Sequence, residues 1–247
     1  MNDGACRLGV LAFGDSITNA GGDIQFGVAL QSWALWTARG LGLPYSPYAV
    51  DGATVADVVG VQIPLFSRVA AGGSAAGGPA GRYDLGCLYI GTNDVRAVGW
   101  DVDGFASALD QALGFVAERC DRLLTVTLPV DLGRPRTRLA QVQEANEAIE
   151  AAAARRGALV LDLRRFGARN LMMADHVHPT AFGQIAIAER ALDVLAAAGM
   201  PVAVRPKQLI AFDPGWRERL LADAAYTYRH AKVSLRAVLI RLRGLSG

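Results

Sequence analysis

The chain has 247 residues, 52% of them hydrophobic, with 25 Lys+Arg against 23 Asp+Glu and a formal charge of +2. That much apolar content over that length supports a sizeable core and excludes disordered, collagen-like and small disulfide-stapled classes. A charge this near balance lacks the basic footprint of a nucleic-acid binder, although residues 201–247 hold nine Lys/Arg and three Asp/Glu, a net of +6, leaving −4 for residues 1–200.

Residues 1–7 carry one basic side chain and lead into a short apolar run ending at Gly14, which leaves no room for a secretory h-region. Cys6, Cys87 and Cys120 are too few and too scattered for a disulfide framework and form no Cys-x-x-Cys pair. Both features lead us to expect a reducing, cytoplasmic setting. No uninterrupted apolar run reaches the roughly 18 residues that a bilayer-crossing helix needs. Only two of the 25 basic residues are Lys, a bias that goes with GC-rich bacterial genomes.

In chain order, apolar runs at 8–13, 45–50, 85–90, 123–128 and 159–163 have strand length and are bounded by Gly, Pro or Asp. Segments at 30–41, 55–69, 105–119, 138–156 and 181–198 show the 3.6-residue period and alternate with them. Near-continuous apolar strands separated by helices predict a three-layer α/β fold with a five-stranded parallel sheet. The Gly-rich stretch at 72–81 reads as a surface loop, since no Lys-Ser/Thr follows it to meet phosphate. After Met200-Pro201 the composition shifts. Asp213-Pro214 reads as a helix start, predicting a C-terminal helical extension over about 215–243. Two units are therefore expected, a main body at 1–200 and a basic amphipathic helical extension at 201–247.

Open parallel sheets bind ligands outside the carboxyl ends of their strands. Gly14-Asp15-Ser16, Asp51-Gly52 and Gly91-Thr92-Asn93-Asp94 follow the first three runs, and Asp175-His176-Val177-His178-Pro179 follows the fifth. Acyl transfer needs a hydroxyl nucleophile, an imidazole base, a carboxylate to orient it and donors for an oxyanion. Ser16, His178 and Asp175 supply the first three, with Asp175 and His178 close enough for one turn of backbone to join them. The Ser16 and Gly52 N–H groups and the Asn93 carboxamide are candidate donors. Thr18 is expected to brace the nucleophile turn and Asp94 to brace a loop.

On these blocks the sequence resembles the SGNH hydrolases, the GDSL-like esterases and lipases, over about residues 8–199. The resemblance implies a flavodoxin-like three-layer α/β/α sandwich around five parallel strands. It implies Ser16 as nucleophile within Gly-Asp-Ser, and Gly52 and Asn93 as oxyanion donors beside the Ser16 N–H. Asp175 and His178 complete the triad in Asp-x-x-His-Pro. No cofactor is implied. The chain departs from the family pattern in two places: Pro47-Tyr48-Ala49-Val50-Asp51 stands before Gly52, and Ile17 follows the nucleophile.

The His176-x-His178 pair with Asp175 also resembles part of a metal site. A hydrolytic zinc site normally takes a third protein ligand, and the remaining histidine, His230, lies in the tail, so no metal is expected and His176 is read as an exposed neighbour of the triad. Cys87 reads as a buried apolar residue and not a nucleophile.

The expected function is a serine-dependent hydrolase of small carboxylic esters. The alternative is an acyltransferase, thioesterase or sugar O-acetylesterase using the same triad, and a binding protein on an inactive hydrolase frame is disfavoured because every catalytic position is filled. Arg96 and Trp100 are candidate substrate contacts, with the Arg134-Pro135-Arg136 run nearby. In the tail, Leu235, Val238, Leu242 and Leu245 form one helical stripe, and Arg229, Lys232, Arg236 and Arg243 another. The apolar stripe is expected to dock on the body or on a second copy of the chain. The alternative is attachment to an anionic membrane surface.

Overall fold

The computed structural model describes residues 8–72, 82–132, 138–168, 170–212 and 215–244, with the side chains of 71–72 and 237–244 excepted. Cys6, the Gly-rich stretch past its first residue, Arg134-Pro135-Arg136, Asp213-Pro214 and the side chains of Val238, Leu242, Arg243 and Leu245 lie outside the described residues.

The strands are β1 (Val10–Gly14), β2 (Tyr45–Pro47), β3 (Leu85–Tyr89), β4 (Leu123–Val126) and β5 (Leu159–Leu161). They form one parallel sheet in the order β2-β1-β3-β4-β5. Every residue of β1, β3 and β4 is buried, which is why those runs carry no polar alternation. The edge strands β2 and β5 are half exposed and shorter than their apolar runs suggest. Pro47 ends the regular ladder of β2. The Tyr48 and Val50 N–H groups still reach the Ala12 and Gly14 carbonyls at 2.8 and 3.1 Å, so the chain tracks β1 as far as Val50.

The helices are α1 (Trp33–Leu41), α2 (Val55–Asp57), α3 (Ile63–Gly72), α4 (Val102–Ala117), α5 (Leu139–Arg156), α6 (Ala181–Ala197) and α7 (Trp216–Gly244). Ser32 caps α1 by accepting from the Leu35 N–H, and Gly42 closes that helix in the left-handed conformation. A π-helical stretch at Val58–Gln62 joins α2 to α3, so the segment read as one helix is wound loosely in its middle. α1 packs on α6, while α4 packs on α5 and on α2. Phe13 lies within stacking or edge distance of Tyr48, Phe66 and Phe115. Each such buried aromatic or aliphatic side chain contributes roughly 1.5–3 kcal/mol of transfer free energy.

α7 meets the body along Ala222, Tyr226, His230 and Val233, its half-buried stripe. Of the apolar stripe read in the sequence only Leu235 has a described side chain. Leu235 is 62% exposed, and Trp216, Leu220 and Tyr228 also face outward. The inward stripe is mostly small and aromatic, so a reading keyed to Leu passes over it. Among the described residues, no helix is long and apolar enough to cross a membrane.

Candidate active site

Ser16, Gly52 and Asn93 follow β1, β2 and β3, whose order places the chain's reversal of direction at β1. Gly14, the last residue of β1, has φ +151°, and a Cβ there would lie 2.4 Å from the Tyr89 carbonyl and 2.7 Å from Thr18 Oγ1. Only glycine lets the chain leave the sheet this way. Its backbone is gripped by Gln62, whose Oε1 accepts from the Gly14 N–H at 3.1 Å and whose Nε2 donates to the Gly14 carbonyl at 2.8 Å. Two residues later, Ser16 Oγ lies 3.0 Å from His178 Nε2.

The loop bearing the imidazole is closed by the Met173 N–H donating to the His178 carbonyl at 2.8 Å and the Thr180 N–H to Leu171 at 2.9 Å. Within it Asp175 Oδ2 lies 2.7 Å from His178 Nδ1, while Oδ1 accepts the N–H groups of Val177 and His178. Burial pushes the Asp175 pKa up, but the His178 bond and the two backbone donors outweigh it and hold the group below its ordinary range. The Asp175 bond raises the His178 pKa above 6.5, against burial and the Arg96 charge, which lower it. A carboxylate on Nδ1 fixes the ring proton there and turns a free electron pair on Nε2 toward Ser16.

Gly52 has φ +76° with nothing within 4 Å of a Cβ built on it, so conformation rather than crowding selects glycine. Among the described residues, the Ser16 and Gly52 N–H groups find no acceptor. Asn93 donates one Nδ2 hydrogen to the Ala53 carbonyl at 2.9 Å, which leaves the second for another acceptor. Asp94 accepts the Val55 N–H at 3.0 Å, bracing the second-strand loop, and burial raises its pKa to about 6. Asp15 is fully buried, takes the Ile17 N–H at 2.9 Å and has its pKa raised by burial to about 7. Thr18 Oγ1 accepts from Trp33 Nε1 at 3.2 Å, bracing the turn.

Arg96 and Trp100 line a surface cavity of about 770 Å³ with Arg138 and Gln141. Arg96 donates to the Leu132 carbonyl at 3.0 Å and Trp100 Nε1 to Glu144 Oε2 at 2.7 Å. His176, at φ +59°, is half-buried rather than exposed: its Nδ1 lies 3.1 Å from Asp131 Oδ2 and its ring 5.2 Å from that of His230 on α7. The tail thus brings its histidine beside the loop. Among the described residues, no group of three metal-binding side chains assembles. Burial raises the Cys87 thiol pKa, which suits a core residue.

Two buried amides that hold the nucleophile turn escaped the sequence reading. Gln62 is one; Gln184 is the other, donating to the Ile17 and Gly21 carbonyls at 2.9 and 3.3 Å and accepting the Trp33 N–H at 2.8 Å. Each is a lone polar residue in an apolar helical stripe, Val55/Val58/Gln62/Phe66 and Ala181/Gln184/Ala188, and such a residue must find partners inside. Replacing Gln62 by Leu is expected to take the side-chain acceptor from the buried Gly14 N–H, while the Gly14 carbonyl keeps the Val50 N–H, at a cost of about 1–3 kcal/mol that lowers the melting temperature and kcat together. Thermal melts and steady-state rates on the purified variant check this, and an unchanged melting temperature would remove Gln62 from the account.

Comparison with known proteins bears on the same region. The model of the GDSL-like Lipase/Acylhydrolase family matches residues 12–185. A structure of a lipolytic G-D-S-L family protein from Veillonella parvula aligns at 24% identity over 76% of this chain and 97% of its own, with a TM-score of 0.57. An alpha/beta hydrolase from the Lake Arreo metagenome aligns at 20% over 76% and 94%, TM-score 0.56. An acetylxylan esterase from Geobacillus stearothermophilus aligns at 18% over 77% and 96%, TM-score 0.57. These three share the fold. A comparison with curated proteins finds no match. With the family match covering most of the chain and running from β1 into α6, the chain belongs to the GDSL-like lipase/acylhydrolase family and is a hydrolase acting on esters.

Proposed function

We propose that this ester hydrolase works through an acyl-enzyme on Ser16. His178 Nε2 takes the Ser16 hydroxyl proton as Oγ attacks the ester carbonyl carbon. The oxyanion is received by the N–H groups of Ser16 and Gly52 and by Asn93 Nδ2. Collapse expels the alcohol, which takes the proton back from Nε2, and water repeats the sequence to release the acid. Asp175 keeps the proton on Nδ1 and stabilises the imidazolium. The observation that carries this reading is the unbroken line of contacts from Ser16 Oγ through His178 to Asp175, 3.0 and 2.7 Å long.

The substrate class is a small carboxylic ester, with Arg96 and Trp100 as its candidate contacts. Residues 1–200 form the hydrolase unit and 201–247 an appended helical segment. The buried free thiols Cys87 and Cys120 fit a reducing, cytoplasmic setting. Labelling with a fluorophosphonate probe tests the reading: the expected result is one adduct on the Ser16 peptide, absent from Ser16→Ala, and failure to label the active protein would refute it.

The protonation of His178 sets the pH response. The imidazole acts as base only when neutral, and its pKa is raised above 6.5. Activity is therefore lost as pH falls through that raised value. A profile of kcat/KM for a neutral ester should rise with a midpoint above that of an ordinary histidine; a midpoint below it would contradict the Asp175–His178 coupling.

A further inference from the structure

We propose that the cavity between α7 and the Asp175 loop binds a single-chain amphiphilic anion, with its apolar chain on Phe26, Met172 and Met173 and its anionic group on Lys232 and Arg236. The cavity encloses about 420 Å³, within the range of small-ligand sites. Tyr226 and Val233 of α7 roof it, and the three apolar side chains line its other side.

Charge decides the ligand's other end. Five charged side chains line the cavity: Asp23, Asp175, Arg229, Lys232 and Arg236. Asp23 pairs with Arg229, and Asp175 is engaged by His178. Among the described residues no carboxylate pairs with Lys232 or Arg236, so the unmatched charge is positive. These two cations stand one helical turn apart, an arrangement that repels itself until an anion lies between them. A neutral ligand leaves them unpaired, and a small anion leaves the apolar wall wet.

The opposite wall is held under strain. Phe26 sits at φ +52°, a conformation that bulky side chains rarely adopt, with its ring 6.1 Å from Phe182 and 5.0 Å from Phe212. Strain of this kind persists where surrounding packing enforces it and gathers at ligand sites. The roof lies beyond residue 185, where the family match ends, so the cavity is this chain's addition to the common frame.

Calorimetric titration of the full-length protein with monomeric decyl phosphate tests the proposal, with decanol and inorganic phosphate as partial ligands. Decyl phosphate is expected to bind the parent and Ser16→Ala alike, so that this result stands apart from the acyl-enzyme reading. Reversing both charges, Lys232→Glu with Arg236→Glu, should weaken it at least about tenfold, since charge-assisted bonds are lost, with the melting temperature kept. Met173→Asp, a second variant on the apolar wall, should weaken it as well. The proposal is overturned if decyl phosphate fails to bind, if decanol or phosphate alone binds as tightly, or if charge reversal changes nothing. Binding to phosphatidylglycerol vesicles without binding of the monomer would also overturn it, assigning the basic helix to a lipid surface.

Discussion

Ser16→Ala and His178→Ala are each expected to abolish ester cleavage to a similar extent, because a nucleophile and its base act as a unit whose loss reaches the order of 10⁶ in a well-studied protease. Without Oγ no acyl-enzyme forms; without Nε2 the hydroxyl keeps its proton at neutral pH. Neither change should disturb the core, since both side chains sit at the end of the sheet on loops whose backbone is held by other groups: Gln62 on Gly14, and the Met173 and Thr180 N–H bonds around the histidine. Initial rates on p-nitrophenyl acetate, with melting temperatures alongside, decide the matter. Residual Ser16→Ala activity above about a hundredth of the parent at unchanged stability would defeat the covalent mechanism, given losses of the size such triads show.

The second large effect is expected at Asn93. An oxyanion donor acts on charge that develops only in the transition state, so Asn93→Ala should lower kcat by about 10² to 10³ while KM stays nearly constant. The side chain also holds the Ala53 carbonyl at 2.9 Å, which positions the Gly52 turn, so one substitution disturbs two donors. That places the expected loss toward the upper end of the range. Steady-state kinetics separates the cases: a rise in KM at constant kcat would make Asn93 a ground-state binding residue instead.

Much of the fold was legible because the central strands are buried on both faces and so appear as uninterrupted apolar runs. The edges were less so, because their extent depends on neighbours: β2 stops at Pro47, although its chain continues to track β1 to Val50. The π-helical stretch at Val58–Gln62 leaves no mark in a 3.6-residue pattern and sets Gln62 against Gly14.

Candidate site residues were legible as separate blocks after successive strands, and the structure brings Ser16, His178 and Asp175 into one hydrogen-bonded line. What the blocks do not carry is support from a distance. Gln62 lies 48 positions from Gly14, and Gln184 lies 167 from Ile17. The pairing of His176 with Asp131, 45 positions away, likewise depends on how two loops are laid side by side. Arg96 and Trp100 proved neighbours in one cavity, each also engaged with the body, through Leu132 and Glu144.

The most direct measurement is rapid acid quench of the enzyme during turnover of p-nitrophenyl acetate, followed by intact mass and peptide mapping. The account predicts an acetyl group that appears at the rate of the p-nitrophenol burst and maps to the peptide containing Ser16. Turnover with no covalent protein adduct at any time, or an acetyl group on another residue that forms at the catalytic rate, would contradict it.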